Sequence, residues 1–227
     1  VTSADKQQND TQSRDFRVEI ETLTLGPFQT NTYLAYEPES KKGVVIDPGF
    51  EGPRILAAIE KSGVAVEKIL LTHGHVDHVS ALGPLVKAVG DVDIAVHEAD
   101  ASQLSSVPAM ARMFGLQADR PPEPTVLLHD GDTLEVGGLD FKTLHTPGHT
   151  PGGVCFLLAN QKVLFCGDTL FYRGIGRTDL PGGSFGDLSR SIRTKIYALD
   201  GTIRAFPGHG PPTVIRDEMF SNPFVTL

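Results

Sequence analysis

The sequence predicts an α/β (α+β) chain folded as a four-layer αββα sandwich, two mixed sheets face to face with helices outside. Three observations predict it. Strand-like and helix-like segments alternate along the chain after residue 15. Strand-strand hairpins recur within each half, which sets the order apart from a Rossmann fold. No linker or low-complexity stretch divides the halves. Residues 1–15, VTSADKQQNDTQSRD, are polar without an apolar run and read as a disordered tail rather than a signal peptide. Residues 16–227 then form one domain with one sizeable core.

The first half opens on three short strands, RVEIETLTL, NTYLAYE and GVVIDPG, the last stopped by Pro48-Gly49. GPRILAAIEKSG carries Ile55, Leu56 and Ile59 at helical spacing and ends at Gly63. KILLT is a short, wholly apolar strand of the kind buried on both faces. Further on, Leu82, Leu85, Val86 and Val89 follow the i, i+3, i+4, i+7 pattern of an amphipathic helix, and DIAV resumes the sheet. The second half continues with TVLL, TLEV and LDFKTLH, then GVCFLL and KVLFCGD joined by ANQ, a helix near DLSRSIRTKIYAL, and finally IRAF.

Two cysteines make no disulfide framework. If Asn160-Gln161 is the two-residue loop of a hairpin, Cys155 lies opposite Cys166. Both read as reduced core thiols without a catalytic role, which fits a reducing cytoplasm. The formal net charge of −8 leaves no basic face for nucleic acid or an anionic membrane surface. No apolar run approaches the roughly 20 residues that cross a bilayer.

Residues 73 to 78 read HGHVDH, three histidines and an aspartate in six positions of a chain with eight histidines. The segment follows the buried strand KILLT and precedes a helix, a usual address for ligands in α/β architectures. His73 and His75 alternate through Gly74, so an extended backbone aims both at one point, which a helix could not do. Asp77 and His78 then face a second point nearby. HTPGHTPGG places His149 in a turn just after a strand, CGDTLF puts Asp168 at another strand end, and PGHG puts His209 at a third. Glycine beside each lets the backbone approach closely. Imidazole and carboxylate without thiolate favour zinc, with iron or manganese as alternatives. His97 and His129, isolated from this set, read as structural hydrogen-bonding residues.

In the order THGHVDH, HTPGHTPGG, CGDTLF and PGHG, with VVIDPG before them, the sequence resembles the metallo-β-lactamase superfamily and, within it, the glyoxalase II-like hydrolases. The resemblance spans nearly the whole chain after the tail. It implies the αββα metallo-β-lactamase fold and two divalent metal ions. His73, His75 and His149 would bind one, Asp77, His78 and His209 the other, and Asp168 would bridge them. The implied activity is metal-dependent hydrolysis by a hydroxide held between the cations, with Asp77 and Asp168 as the catalytic carboxylates. Thioesters suit that scheme because a thiolate leaves readily, whereas an amide nitrogen would need a proton donor.

The substrate implied is a small anionic thioester or ester, such as an acyl-glutathione. GDTLFYRGIGRTDLPGG resembles the segment in which glyoxalase II places a basic residue and a tyrosine against glutathione, making Arg177 and Tyr172 the candidate substrate residues. Arg177 has a second reading as a loop salt bridge with Asp179. The helical domain that completes the glutathione site of a full glyoxalase II is missing, since eighteen residues follow His209. The chain therefore resembles the short branch of the family. Other readings are a mono-iron persulfide dioxygenase, which shares the fold and a similar GRTD loop, a lactonase or β-lactamase, and a non-enzymatic metal-binding module. A missing ligand would favour the last, and all seven are present.

Overall fold

The computed structural model describes residues 17–226; the tail expected at 1–15 lies outside them. The first half forms β1 (Glu19–Leu25), β2 (Thr30–Tyr36), β3 (Lys42–Ile46), α1 (Gly52–Ser62), β4 (Ala65–Leu70), α2 (Val76–Val79), α3 (Leu82–Val89), β5 (Asp93–His97), α4 (Glu98–Ala101), α5 (Val107–Met113) and β6 (Val126–Leu128). These strands make a six-stranded sheet in the order β1-β2-β3-β4-β5-β6. The first three pair antiparallel and the rest parallel, with helices as crossovers.

The second half forms β7 (Thr133–Val136), β8 (Leu139–His145), β9 (Val154–Leu158), β10 (Val163–Gly167), β11 (Leu170–Phe171), β12 (Gly174–Ile175), α6 (Phe185–Ser191), β13 (Arg204–Pro207), β14 (Thr213–Val214) and α7 (Ile215–Ser221). Its main sheet runs β14-β13-β10-β9-β8-β7, and β11 and β12 pair as a separate hairpin. Both large sheets are mixed, as expected.

Side-chain alternation along the strands divides the interior into three packed layers. In β2, Leu34 and Tyr36 face the helices α1, α3 and α5, while Tyr33 and Ala35 face the other sheet. In β9, Val154, Phe156 and Leu158 fill the space between the sheets, while Cys155 and Leu157 pack under α6 and α7 with Leu188, Ile192 and Ile215. The layers are therefore helix, sheet, sheet, helix.

Three expectations are corrected or refined. The TVLL run, read with the second half, pairs parallel with β5 and closes the first sheet, because α4 and α5 make the crossover that a parallel neighbour needs. The helix near residues 187–199 is regular only over α6 and then widens into an irregular turn over Ile192–Ile196. The cysteine hairpin keeps the expected register, with Leu158 opposite Val163 and Phe156 opposite Phe165. Its connection is a short 3-10 turn over Ala159–Gln161, closed by Lys162 in a left-handed conformation. Both cysteines are buried and free.

Candidate metal centre

The chain reverses or crosses over at the C-terminal ends of β3, β4, β8, β10 and β13, and there it carries Asp47, the HGHVDH segment, His149, Asp168 and His209. The two sheets are pinned together at this end. Asn31, in β2, donates from its backbone to Gly208 O at 2.7 Å and from its side chain to Pro207 O and Gly210 O. Thr30 forms a backbone bridge with His209. Residues from both halves are thereby brought to one point.

The ligand-capable atoms fall into compact groups, each within 4.8 Å: His73, His75 and His149 in one, Asp77, His78 and His209 in another, and Asp47, His73 and His78 in a third. His75 precedes α2 with an extended backbone, and Asp77 and His78 lie in its single turn, as the spacing predicted. Asp168 stands between the first two groups. Its Oδ2 lies 3.4 Å from His149 Nε2 and 3.5 Å from His209 Nε2, and its Oδ1 lies 3.5 Å from His78 Nε2. Asp77 Oδ2 accepts from Thr30 Oγ1 at 2.9 Å and lies 3.2 Å from His209 Nε2. Gly208 makes this density possible, since a Cβ there would run into Asp168 Oδ1 and His78.

The outer nitrogens fix the tautomers. His149 Nδ1 faces the carbonyl of Arg177 at 2.7 Å, and His209 Nδ1 faces that of Phe28 at 3.1 Å. A carbonyl only accepts, so each Nδ1 carries a proton and each Nε2 is the nitrogen turned toward the centre. His78 Nδ1 donates to Asp47 Oδ2 at 2.9 Å. Thr72 Oγ1 spends its own proton on Asp47 Oδ2 at 2.6 Å and therefore accepts from His73 Nδ1 at 3.0 Å. His73 Nε2, His78 Nε2 and Asp168 Oδ1 are buried without a hydrogen-bond partner. Buried polar atoms left unpaired in one spot, all aimed inward, are what a resident cation would satisfy. The residues fit two metal ions.

Electrostatics divide the centre. Burial, reinforced by the neighbouring imidazoles of His78, His75 and His149, holds His73 well below the usual histidine range. Burial and His149 hold His75 down to about 4. His78 is also opposed by burial, but Asp77, Asp168 and Asp47 outweigh it and hold its proton up to about 10. His209 is raised against burial by Asp77 and Asp168. Asp77, which burial alone would raise, is brought well below the carboxylate range by His78 and His209. Burial thus keeps His73 and His75 neutral, whereas the surrounding carboxylates hold the proton of His78.

The remaining site expectations meet the structure unevenly. Arg177 forms a bidentate pair with Asp179 at 2.7 and 2.8 Å, and both side chains are exposed, so the loop salt bridge is what its guanidinium does here. Its backbone carbonyl orients His149. Tyr172 is 53% exposed on the turn between β11 and β12, with the Arg173 guanidinium over its ring. The neighbouring Phe171, not Tyr172, packs edge-on against His209. His97 accepts from Ala99 N and stacks on His145 at 3.9 Å, and His129 lies beside Glu98 and Asp132, away from the centre. Asp47 was missed as a site residue. It stands at a strand end before Pro-Gly, the same kind of position that singled out Asp168.

Comparison with known proteins supplies context for this geometry. A family model described as the Metallo-beta-lactamase superfamily matches residues 25–209. Hydroxyacylglutathione hydrolase GloC of Haemophilus influenzae is 40% identical over 212 residues, which is 91% of this chain and 97% of that one. The crystal structure of BLEG-1 B3 metallo-beta-lactamase superposes with a TM-score of 0.87 at 35% identity, covering 92% of this chain and 100% of the other. TTHA1623, solved in a di-iron-bound form, gives 0.82 at 38% identity over 90% and 100%.

Proposed function

The chain belongs to the metallo-β-lactamase superfamily of hydrolases, and on that premise we propose that residues 16–227 form a single-domain, binuclear, glyoxalase II-like thioesterase. One observation carries this reading: Asp168 stands between two separate ligand groups, one oxygen toward His149 and His209 and the other toward His78. The name of the Haemophilus influenzae relative supports an acyl-glutathione or a related anionic thioester as substrate.

Two divalent cations, zinc by the donor set or iron by analogy with the di-iron form of TTHA1623, would supply an acidified water and a Lewis acid for the substrate carbonyl. The chain's own residues do the rest. His73 and His75 present neutral nitrogens, so a metal bound there would displace no proton from either. Asp77 and Asp168 would balance the cation charge, Asp77 beside His209 and Asp168 beside His78. The Arg177 carbonyl and Asp47 keep His149 and His78 from rotating. Arg177 and Tyr172, exposed on the β11–β12 side of the site, are the groups that would meet the anionic end of the substrate. Arg177 must release Asp179 to do so. The thiolate leaves without a proton donor.

Metal content per chain, measured by mass spectrometry on protein purified without chelator or added metal, is the decisive test. About two zinc or iron ions per chain, with hydrolysis of acyl-glutathione lost on chelation, is the expected result. Close to one iron per chain, with oxygen consumed in the presence of a persulfide, would replace this reading with the dioxygenase.

A further inference from the structure

Asp100, in α4, belongs to none of the motifs above and is fully buried. Its carboxylate reaches two loops that come from different sheets. Oδ2 accepts from the backbone N–H of Gly74 at 3.1 Å, in the middle of His73-Gly74-His75. Oδ1 accepts from the backbone N–H of Gly152 at 2.6 Å, three residues after His149. Gln103 Nε2 donates to the same oxygen at 2.9 Å and closes the group from outside.

Both contacts depend on the absence of a side chain. A Cβ at Gly152 would stand 2.6 Å from the Asp100 carboxylate, and a Cβ at Gly74 would stand 3.0 Å from Gln103 Cβ and 3.2 Å from Asp100 O. An apolar side chain could occupy the position of Asp100 and fill its space. It could not fix the distance between two amides on separate loops, which charge-assisted hydrogen bonds do. Those loops carry all three members of the three-histidine group and none of Asp77, His78 or His209 as a direct neighbour of either amide.

We propose that Asp100 is a positioning residue that holds the Gly74 and Gly152 amides at a fixed separation and thereby sets the metal affinity of the His73, His75 and His149 site. The proposal rests on the metal-dependent reading given above. Through the loops it governs one of the two sites, because outer partners orient ligands only where they touch them or their backbone.

The test is zinc titration of the full chain against a competing chromophoric chelator. The variants His75→Ala and His209→Ala assign each binding step to its site. Asp100→Asn should weaken the step that His75→Ala abolishes by roughly ten- to a hundredfold and leave the step that His209→Ala abolishes unchanged. Glu37→Gln, at a buried carboxylate near the opposite end of β2 that accepts from the amides of Glu39 and Ser40, controls for general destabilisation. Its two steps should match wild type. Gln103→Ala, at a half-buried side chain, should give a smaller loss at the same step, and it carries the test if Asp100→Asn does not fold. Unchanged affinities, or an equal loss at both steps with a lowered unfolding temperature of the metal-free chain, would overturn the role of Asp100 while leaving the binuclear reading intact. A wild-type chain that takes up no zinc would overturn both.

Discussion

Asp47 Oδ2 accepts the Nδ1 proton of His78 at 2.9 Å, a contact in which neither side chain is more than 1% exposed. The same carboxylate accepts from the backbone and hydroxyl of Thr72 at 2.7 and 2.6 Å, so it orients His78 directly and His73 through Thr72. Asp47→Asn replaces one acceptor by a donor facing another donor. Denaturant unfolding of the metal-free variant is expected to show a loss of roughly 1–3 kcal/mol, the cost of a buried polar group left unpaired. An unchanged midpoint would show that Asp47 orients nothing.

Loading of the two metal groups should differ in its proton balance. At neutral pH the metal-free chain keeps the proton of His78, held up to about 10, whereas His75, held down to about 4, is already bare. Filling the Asp77, His78 and His209 group should release about one proton or more per chain, whereas binding by His73 and His75 should release close to none from those two residues. Calorimetric titration in buffers of different ionisation heat measures this. The linked stability has a definite sign. His78 is raised from its usual 6.5, so its contribution to the metal-free fold is complete below that value and is lost as pH rises through about 10.

Asp168→Ala removes the carboxylate that stands between the two groups, with Oδ2 near both His149 and His209. Thioester turnover is expected to fall by at least roughly a hundredfold, with stoichiometry dropping toward one metal per chain. The circular dichroism spectrum should remain that of the folded chain, because Asp168 follows β10 rather than forming part of its ladder. Turnover close to wild type in this variant would rule out a bridged centre.

Arg177→Ala separates the two uses of this residue. Its side chain is exposed and engaged with Asp179, so thermal stability should not change measurably. The backbone carbonyl that holds His149 is retained in the variant. If the guanidinium meets the substrate, KM for anionic thioesters should rise by roughly three- to tenfold with little change in kcat, the signature of lost uniform binding. An unchanged KM would leave only the salt bridge.

Cys155 and Cys166 should resist modification in the folded chain. Burial pushes the Cys155 thiol up to about 11 and raises that of Cys166 well above its usual range, so at pH 8 the reactive thiolate is scarce as well as inaccessible. Intact mass after iodoacetamide treatment should show no adduct until denaturant is added, and then two.

Legibility in the sequence followed the range of the interaction involved. The strands could be read because alternation is a local signal, and the ligands because His73, His75, His149, Asp168 and His209 each stand beside glycine near a strand end, with Asp77 and His78 in the turn that follows. The sheet to which Val126–Leu128 belongs was not legible, since the short helices of the crossover, such as Val107–Met113, have no strong apolar period. Asp47 and Asp100 escaped for the same reason in sharper form. The loop amides and imidazole they hold lie 25 to 52 residues away in the chain, and although Asp47 stands before Pro-Gly, nothing in its neighbourhood names His78 as the partner. For Arg177 the deciding neighbour was only two residues away, yet spacing alone does not say which partner a guanidinium takes.

The pinning of β2 to the Gly208 loop also bears on the order of events during synthesis. The HGHVDH segment emerges with the first sheet, but His149, Asp168 and His209 arrive successively with β8, β10 and β13. Until β13 docks, a nascent chain offers only a fragment of each group, with too few ligands to close a four-coordinate site. If the chain takes up metal as proposed, occupancy would be decided after the last large-sheet strands close the seam, and a mis-metallated molecule would be a product of its surroundings rather than of its folding path.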